Sequence, residues 1–312
     1  MTKIYSLKNK KIWITGHNGM VGRALSKKFK KMKYKILHVD RKKLDLRIQS
    51  DVDQWIKANK PEVIFHTAAR VGGILENSTK PAMFISDNLQ MQTNVITSAY
   101  KYDVDRLIFL GSACIYPINN KPIMESDLLA GKLESTNKSY SVAKISGIQM
   151  CNAFYEQYGV NYTSVQPNNL YGPNDNFSDD SAHVISSLIR KIHYAKINKF
   201  PSFMVWGSGN PKREFLYVDD LVDALLNITE NYNCPEPINI GSGEEISIKK
   251  LSELIKKIVN YKGKLVFNKE YPDGVMRKFL DSRKIISMGW KPKVFLEEGL
   301  KKTYRWFLNN NT

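Results

Sequence analysis

The sequence predicts an α/β chain in which a doubly wound parallel sheet is joined to a smaller mixed α/β lobe. Three observations predict it. Short β-rich runs alternate with helical stretches through the first half, as strands and their crossover helices do. A glycine triplet sits where the first run gives way to the first helix. After Pro167 the alternation breaks into NNLYGPNDNFSDDSAH, a loop rich in Gly, Pro, Asn and Asp, and a new helix starts beyond it.

The expected strands are KIWIT (11–15), YKILHV (34–39), EVIFH (62–66), RLIFLGS (106–112) and YTSVQP (162–167). Helical segments are expected near 21–31, 52–58, 81–102 and 140–158, and right-handed crossovers place them on both faces of one sheet. Beyond the loop, a helix is expected over 183–196. Another is expected over 247–260, where Ile248, Leu251, Leu254, Ile255 and Ile258 form an apolar stripe behind the N-cap Ser247. Residues 1–169 with about 216–241 are assigned to the sheet lobe, and about 170–215 with 242–312 to the smaller one.

With 42% hydrophobic and 11% aromatic residues over 312 positions, the chain can bury an ordinary core and is not a disordered polymer. No apolar run approaches the roughly 20 residues that span a bilayer, and the N-terminus lacks the apolar stretch of a secretory signal. The expectation is a cytoplasmic protein without a membrane partner. Cys114, Cys151 and Cys234 form no C-x-x-C pair, and the five histidines fall at no ligand spacing, so neither a disulfide framework nor a bound metal is expected. The net charge of +17 admits nucleic acid, a membrane surface or small anions as partners. Lysines are scattered and no tract alternates basic with aromatic residues. Nucleic acid is therefore the poorest fit, after a general lean toward Lys, Ile and Asn and after phosphate-bearing small molecules.

Gly16, Gly19 and Gly22, in GHNGMVG, join the first strand to the first helix. Glycines here permit a tight turn, approach of the backbone to a pyrophosphate, and close helix–strand packing. A Rossmann-type dinucleotide site is the consequence. At the end of the second strand, Asp40 suits the ribose hydroxyls of NADH and Arg41 the 2′-phosphate of NADPH, and the two residues leave the choice open. Tyr140 and Lys144 stand one helical turn apart, behind a strand that ends near Ser112. A phenol backed by a cation and a hydroxyl can give a proton to a carbonyl oxygen as hydride reaches its carbon. On residue type alone, Cys114 reads first as a small buried hydrophobe and His183 as a structural imidazole.

Taken together, these segments resemble the GDP-L-fucose synthase family of the extended short-chain dehydrogenase/reductases, the GDP-4-keto-6-deoxymannose 3,5-epimerase/4-reductases. The resemblance covers AARVGGI (68–74), GSACIYP (111–117), NLYGPNDNF (169–177), SAHVI (181–185), VWGSGNPKREFLYVDDL (205–221) and PDGVMRKFLD (272–281) besides the glycine loop and the Tyr140 helix. It implies NADPH, with NADH as the alternative, held by Gly16, Asn18, Gly19, Met20, Val21, Gly22, Asp40, Arg41, Ala68, Ala69, Tyr140, Lys144, Pro167 and His183. It implies a reductase triad of Ser112, Tyr140 and Lys144, with Cys114 and His183 exchanging protons at the carbons that flank C4. It places a GDP-4-keto-6-deoxy sugar against Asn169, Lys191, Trp206, Arg213, Arg277 and Lys278, in a homodimer. Departures from the family pattern cluster at the sugar end: Ala113 in place of Ser, Asn168 in place of Thr, Ser186-Ser187 in place of Pro-Ala. At the cofactor end, Asn18 replaces an Arg and Asp40 is also unusual. Alternatives are a C4-reductase acting only on a pre-epimerised GDP-4-keto-heptose, a nucleotide-sugar 4,6-dehydratase or 4-epimerase, and a non-catalytic basic binding module.

Overall fold

The computed structural model describes residues 3–178, 181–271 and 273–310. Asp179 and Asp180 of the expected loop, and Pro272 of the PDGVMRKFLD block, lie outside these. The first half follows the expected alternation: β1 (Lys11–Thr15), α1 (Met20–Lys31), β2 (Lys35–Leu37), α2 (Gln49–Asn59), β3 (Val63–His66), α3 (Ile74–Thr79), α4 (Pro81–Lys101), β4 (Arg106–Leu110), α5 (Lys138–Tyr158) and β5 (Asn161–Pro167). The second half comprises β6 (Asn169–Tyr171), α6 (Val184–Ile197), β7 (Ser202–Trp206), β8 (Lys212–Tyr217), α7 (Val218–Asn231), β9 (Ile238–Ile240), β10 (Glu245–Ser247), α8 (Ile248–Val259), β11 (Lys264–Asn268), β12 (Arg277–Lys278), α9 (Arg283–Ser287) and α10 (Leu296–Asn310).

The main sheet has the order β2-β1-β3-β4-β5-β9, and every pairing in it is parallel. β1, β3 and β5 are buried almost throughout, which is why they read as near-continuous apolar runs rather than alternating ones. One face is covered by α1 and α7, burying Leu25, Phe29, Leu221 and Leu225. The other is covered by α2, α4 and α5, burying Ile56, Val95, Ile96 and Ile148. The chain leaves β1 toward β2 on one side and returns to β3 on the other. A crevice therefore opens at the carboxyl ends of β1 and β3, the usual ligand position in such sheets.

The smaller lobe packs α6, α8 and α10 on β7 and β8 around Ile189, Leu251, Ile255, Leu300 and Phe307. β8 pairs with β6 and β12 in parallel and with β10 antiparallel. The expected stripe on α8 is oriented by Leu251, Ile255 and Val259, and Ser247 Oγ accepts the Lys250 N–H at 3.2 Å as its cap. The stretch 216–241 returns to the sheet through β9. The chain also comes back a third time, since Leu280, Ile285 and Trp290 are buried in the cores that flank the sheet. No described helix is long and apolar enough to cross a membrane.

Candidate active site

At the end of β1 the chain turns through Gly16 with φ +67°, a conformation that other residues adopt at a cost. A Cβ on Gly16 would stand 2.8 Å from the Ala68 Cα, and one on Gly22 only 2.3 Å from the Gly16 carbonyl oxygen. The loop, the helix and the segment after β3 thus pack backbone against backbone. Gly19 is different, since its nearest neighbour in that direction is the Gly16 oxygen at 3.4 Å. No side chain caps α1 and its first turn holds no acid, so the N–H groups of Met20, Val21 and Gly22 open a helix suited to a pyrophosphate. Ala68 is fixed from below: its N–H donates to Thr15 Oγ1, which also meets His66 Nδ1 at 3.0 Å. Burial pushes His66 down to about 3, so this imidazole stays neutral. The cradle fits a dinucleotide.

Asp40 beyond β2 lies 3.1 Å from Asn18 Nδ2 and 3.3 Å from His17 Nε2, and His17 stacks on His38 with centroids 4.7 Å apart. Arg41 is exposed beside it, ahead of Lys42 and Lys43. The two histidines carried no signal in the sequence, because their proximity depends on the turn after β1.

Ser112 lies two residues beyond β4 and caps a short turn, accepting the Cys114 N–H at 3.2 Å while its own N–H donates to Gln166 Oε1 at 3.0 Å. Gly147 lets α5 close on β4, as a Cβ there would strike the Phe109 ring at 2.4 Å. This brings Tyr140 close enough to Ser112 for the hydroxyl to lower its pKa. Lys144 Nζ donates to the Leu110 carbonyl at 2.7 Å and lies 5.9 Å from the centre of the Tyr140 ring. Burial raises the Tyr140 phenol above its ordinary value, with a smaller opposing effect from Ser112. The phenolate is therefore not the resting form, even with Lys144 adjacent. Tyr140 rests protonated, as a proton donor must. Burial also lowers Lys144, to about 7, because a charged ammonium is costly in an enclosed site.

Cys114 adjoins this group, and its backbone oxygen accepts from Ser141 Oγ of α5 at 2.8 Å. Lys278 Nζ lies 3.9 Å from Cys114 Sγ and 3.4 Å from Glu134 Oε2. Lys278, expected against the GDP-sugar, thus stands at the thiol. Arg277, expected there too, forms a two-bond pair with Glu245 at 2.7 Å each and donates to the Asn120 carbonyl at 2.6 Å. Its guanidinium is committed to joining β12 to β10. Arg213 sits close enough to Glu134, Cys114 and Asp273 for each to raise its pKa, although burial outweighs them and lowers it.

His183 comes from the other lobe as the N-cap residue of α6, and its side chain makes no capping bond. It lies 3.6 Å from Asp175, whose carboxylate raises the imidazole above its ordinary value against the opposing effect of burial. The Gly73 N–H donates to the Ser181 carbonyl at 3.2 Å, tying the loop after β3 to the approach of α6. Of the other expected contacts, Trp206 stacks parallel on Tyr271 at 4.5 Å, with Lys191 Nζ 5.0 Å from its ring centre. The Asn169 amide nitrogen bonds the Glu214 carbonyl at 2.9 Å, and Pro167 is buried at the end of β5. Glu134, Asp175, Gln166 and Tyr271 are the neighbours that sequence reasoning missed. Only Asp175 carried a signal, inside the NLYGPNDNF block. Among the described residues no group of three or more His, Cys, Asp or Glu is arranged to hold a metal.

A glycine cradle, a Ser–Tyr–Lys group beyond β4 and a second lobe tied to the loop after β3 define a nucleotide-dependent epimerase or reductase site. The chain belongs to the NAD dependent epimerase/dehydratase family, whose sequence pattern matches residues 12–241. Within it, the chain is 47% identical over 308 residues to GDP-L-fucose synthase of Sinorhizobium fredii, covering 98% of each. Among solved structures, it is similar to a GDP-mannoheptose C4 reductase from Campylobacter jejuni with NADP bound (36% identity, TM-score 0.88, 97% of this chain and 100% of the other). It is also similar to a GDP-L-fucose synthetase from Naegleria fowleri bound to NADP (32% identity, TM-score 0.89, 99% and 95%).

Proposed function

We propose that this protein is an NADPH-dependent C4-reductase of a GDP-4-keto-6-deoxy sugar that also inverts C3 and C5. What supports the reading is that Ser112, Tyr140, Lys144 and Cys114 gather beyond the end of β4, while the loop after β3 bonds through the Gly73 N–H to Ser181, two residues before His183. When bound, the reduced nicotinamide supplies hydride to C4. Tyr140 donates its proton to O4, and Ser112 holds that oxygen by a hydrogen bond. The same two groups stabilise the enolate formed when a proton leaves C3 or C5. Cys114 and His183 take and return those protons, on opposite faces of the ring. Lys278 holds the sugar end beside Cys114, whereas Arg213, Lys191 and the Trp206–Tyr271 stack suit the nucleoside diphosphate. Asp40 is engaged by Asn18 and His17, which leaves the basic run beginning at Arg41 for a 2′-phosphate and favours NADPH over NADH.

A second reading keeps the reduction and drops the epimerisation, with a GDP-4-keto-heptose as substrate. The likeness to the heptose C4 reductase favours it, as do Ala113, Ser186 and Ser187 at the sugar end. One experiment separates the two. The protein is incubated in D₂O with GDP-4-keto-6-deoxymannose or its heptose counterpart, with NADPH or NADH, and products are identified by NMR. Deuterium at C3 and C5 of a 6-deoxyhexose product, formed faster with NADPH, is the expected result. Reduction of a pre-epimerised heptose without deuterium at either carbon would establish the second reading instead.

A further inference from the structure

The loop between β6 and α6 carries a carboxylate to which the proposed reaction gives no task. Asp175 is almost enclosed, with 4% of its side chain exposed, whereas 46% of the His183 side chain is exposed. A buried carboxylate is costly unless its oxygens are bonded, and here both are occupied. Oδ2 accepts from the hydroxyl of Ser186, itself fully buried on the first turn of α6. Oδ1 accepts the Asn176 N–H at 2.8 Å and lies 3.6 Å from His183 Nδ1. The backbone is held as firmly: the Ser187 N–H donates to the His183 carbonyl at 2.8 Å. The hydroxyl comes from one of the departures at the sugar end, since a proline at 186 would have no side-chain donor.

We propose that Asp175, anchored by Ser186, is the positioning residue of His183: it fixes a proton on Nδ1, holds the ring in one orientation and so presents Nε2–H to the substrate carbon. This deepens the epimerase reading and rests on it. In the step concerned, the Nε2–H bond breaks and the proton joins the enolate carbon, whose electron pair forms the new C–H bond. The ring is left neutral with its remaining proton on Nδ1 toward Asp175, and water restores the other. The carboxylate matters because an ordinary imidazole, with a pKa near 6.5, is mostly neutral at pH 7.5, and the adjacent negative charge enlarges the protonated share that can act as the acid. The charge comes from the loop. The neighbouring β3–α3 loop approaches through the Gly73 backbone, and among the described residues Asp175 is the charge that acts on the ring.

The test uses the NADP⁺-loaded protein and has two arms. Histidine ¹⁵N–¹H spectra, with His183 assigned by its loss in His183→Gln, follow the ring through a pH titration. Wild-type His183 should titrate above 6.5 with the neutral ring protonated on Nδ1, and Asp175→Asn should lower the midpoint. The second arm measures deuterium entry at C5 of GDP-4-keto-6-deoxymannose. In Asp175→Asn, kcat for exchange should fall about tenfold at pH 7.5 with KM changed less than twofold, and most of the loss should be recovered at pH 6. Ser186→Ala should cause a smaller loss in the same direction. A wild-type midpoint at or below 6.5 would overturn the proposal without any variant, as would an Asp175→Asn midpoint equal to wild type or a rate deficit independent of pH. Wild-type protein that shows the elevated titration but never exchanges deuterium would instead refute the epimerase reading and leave the Asp175–His183 pairing standing.

Discussion

The two ends of the cleft are built differently. At the dinucleotide end the determinants are backbone: Gly16 at positive φ, Gly22 against a carbonyl oxygen, and the uncapped first turn of α1. They come mainly from one continuous stretch and from Ala68 beneath it. At the proposed sugar end the groups are side chains from segments far apart in sequence: Cys114, Glu134, Tyr140, Asp175, His183, Arg213 and Lys278. A backbone site tolerates almost no change in shape, because neighbouring main chain has nowhere to go. A side-chain site can lose one group, keep its architecture and change its chemistry. The departures from the fucose synthase pattern at 113, 168, 186 and 187 belong to the proposed sugar end, and those at 18 and 40 are side-chain changes at the cofactor end that leave its glycines in place.

Three substitutions can break or sharpen that contrast. The largest effect belongs to Tyr140→Phe, which deletes a proton donor and little volume. C4 reduction should fall 10²–10⁴-fold with NADPH affinity nearly intact. A loss under about tenfold in a steady-state assay would remove Tyr140 as the donor. Next is Gly22→Ala, at the backbone end, where the new Cβ meets the Gly16 carbonyl and the His17 Cα. Strain of this kind costs about 1–3 kcal/mol, and NADPH affinity should fall at least tenfold. Denaturant melts and fluorescence titration measure the two together, and a neutral outcome in both would dissolve the distinction drawn above.

The smallest effect lies between the two ends. Burial holds Lys144 near 7 against an ordinary value of 10.5, so between these pH values the unfolded chain carries one more proton than the folded one. The contribution of Lys144 to stability accordingly rises with pH across that window and is least favourable below pH 7. Lys144→Met removes this dependence. Relative to wild type, the ligand-free variant should gain on the order of 1–2 kcal/mol on going from pH 10 to pH 6, once local relaxation has absorbed part of the penalty. Thermal melts at the two pH values report the difference, and a constant offset would show that Lys144 is no more strained than a surface lysine.

The same contrast explains what the sequence made legible. The glycine loop, β1 to β5 and their helices were visible because each is encoded locally, by spacing, apolar runs or a cap such as Ser247. The roles of Arg277 and Lys278 were not, since adjacent residues in a strand point to opposite sides and only pairing with β8 decides which meets Glu245 and which meets Cys114. Glu134 and Tyr271 were invisible for a related reason: each matters through a partner more than 60 positions away. Tyr140 and Lys144 were recognised as a pair, but enclosure by the surrounding elements set their resting protonation.

The late return of the chain to the large sheet has a consequence for its birth on the ribosome. The first 167 residues contain five of the six strands, yet β9 and the buried side chains of Leu280, Ile285 and Trp290 belong to the last quarter of the chain. At the usual elongation rate of about 5–20 residues per second, roughly 6–25 seconds pass between the synthesis of Pro167 and that of Trp290. During that interval the nascent sheet presents the open edge of β5 and the apolar surface that α7, α9 and Trp290 will later cover. Such an edge can pair with another chain, and such a surface invites chaperones. The site-bearing sheet is thus begun early in translation and sealed almost at its end.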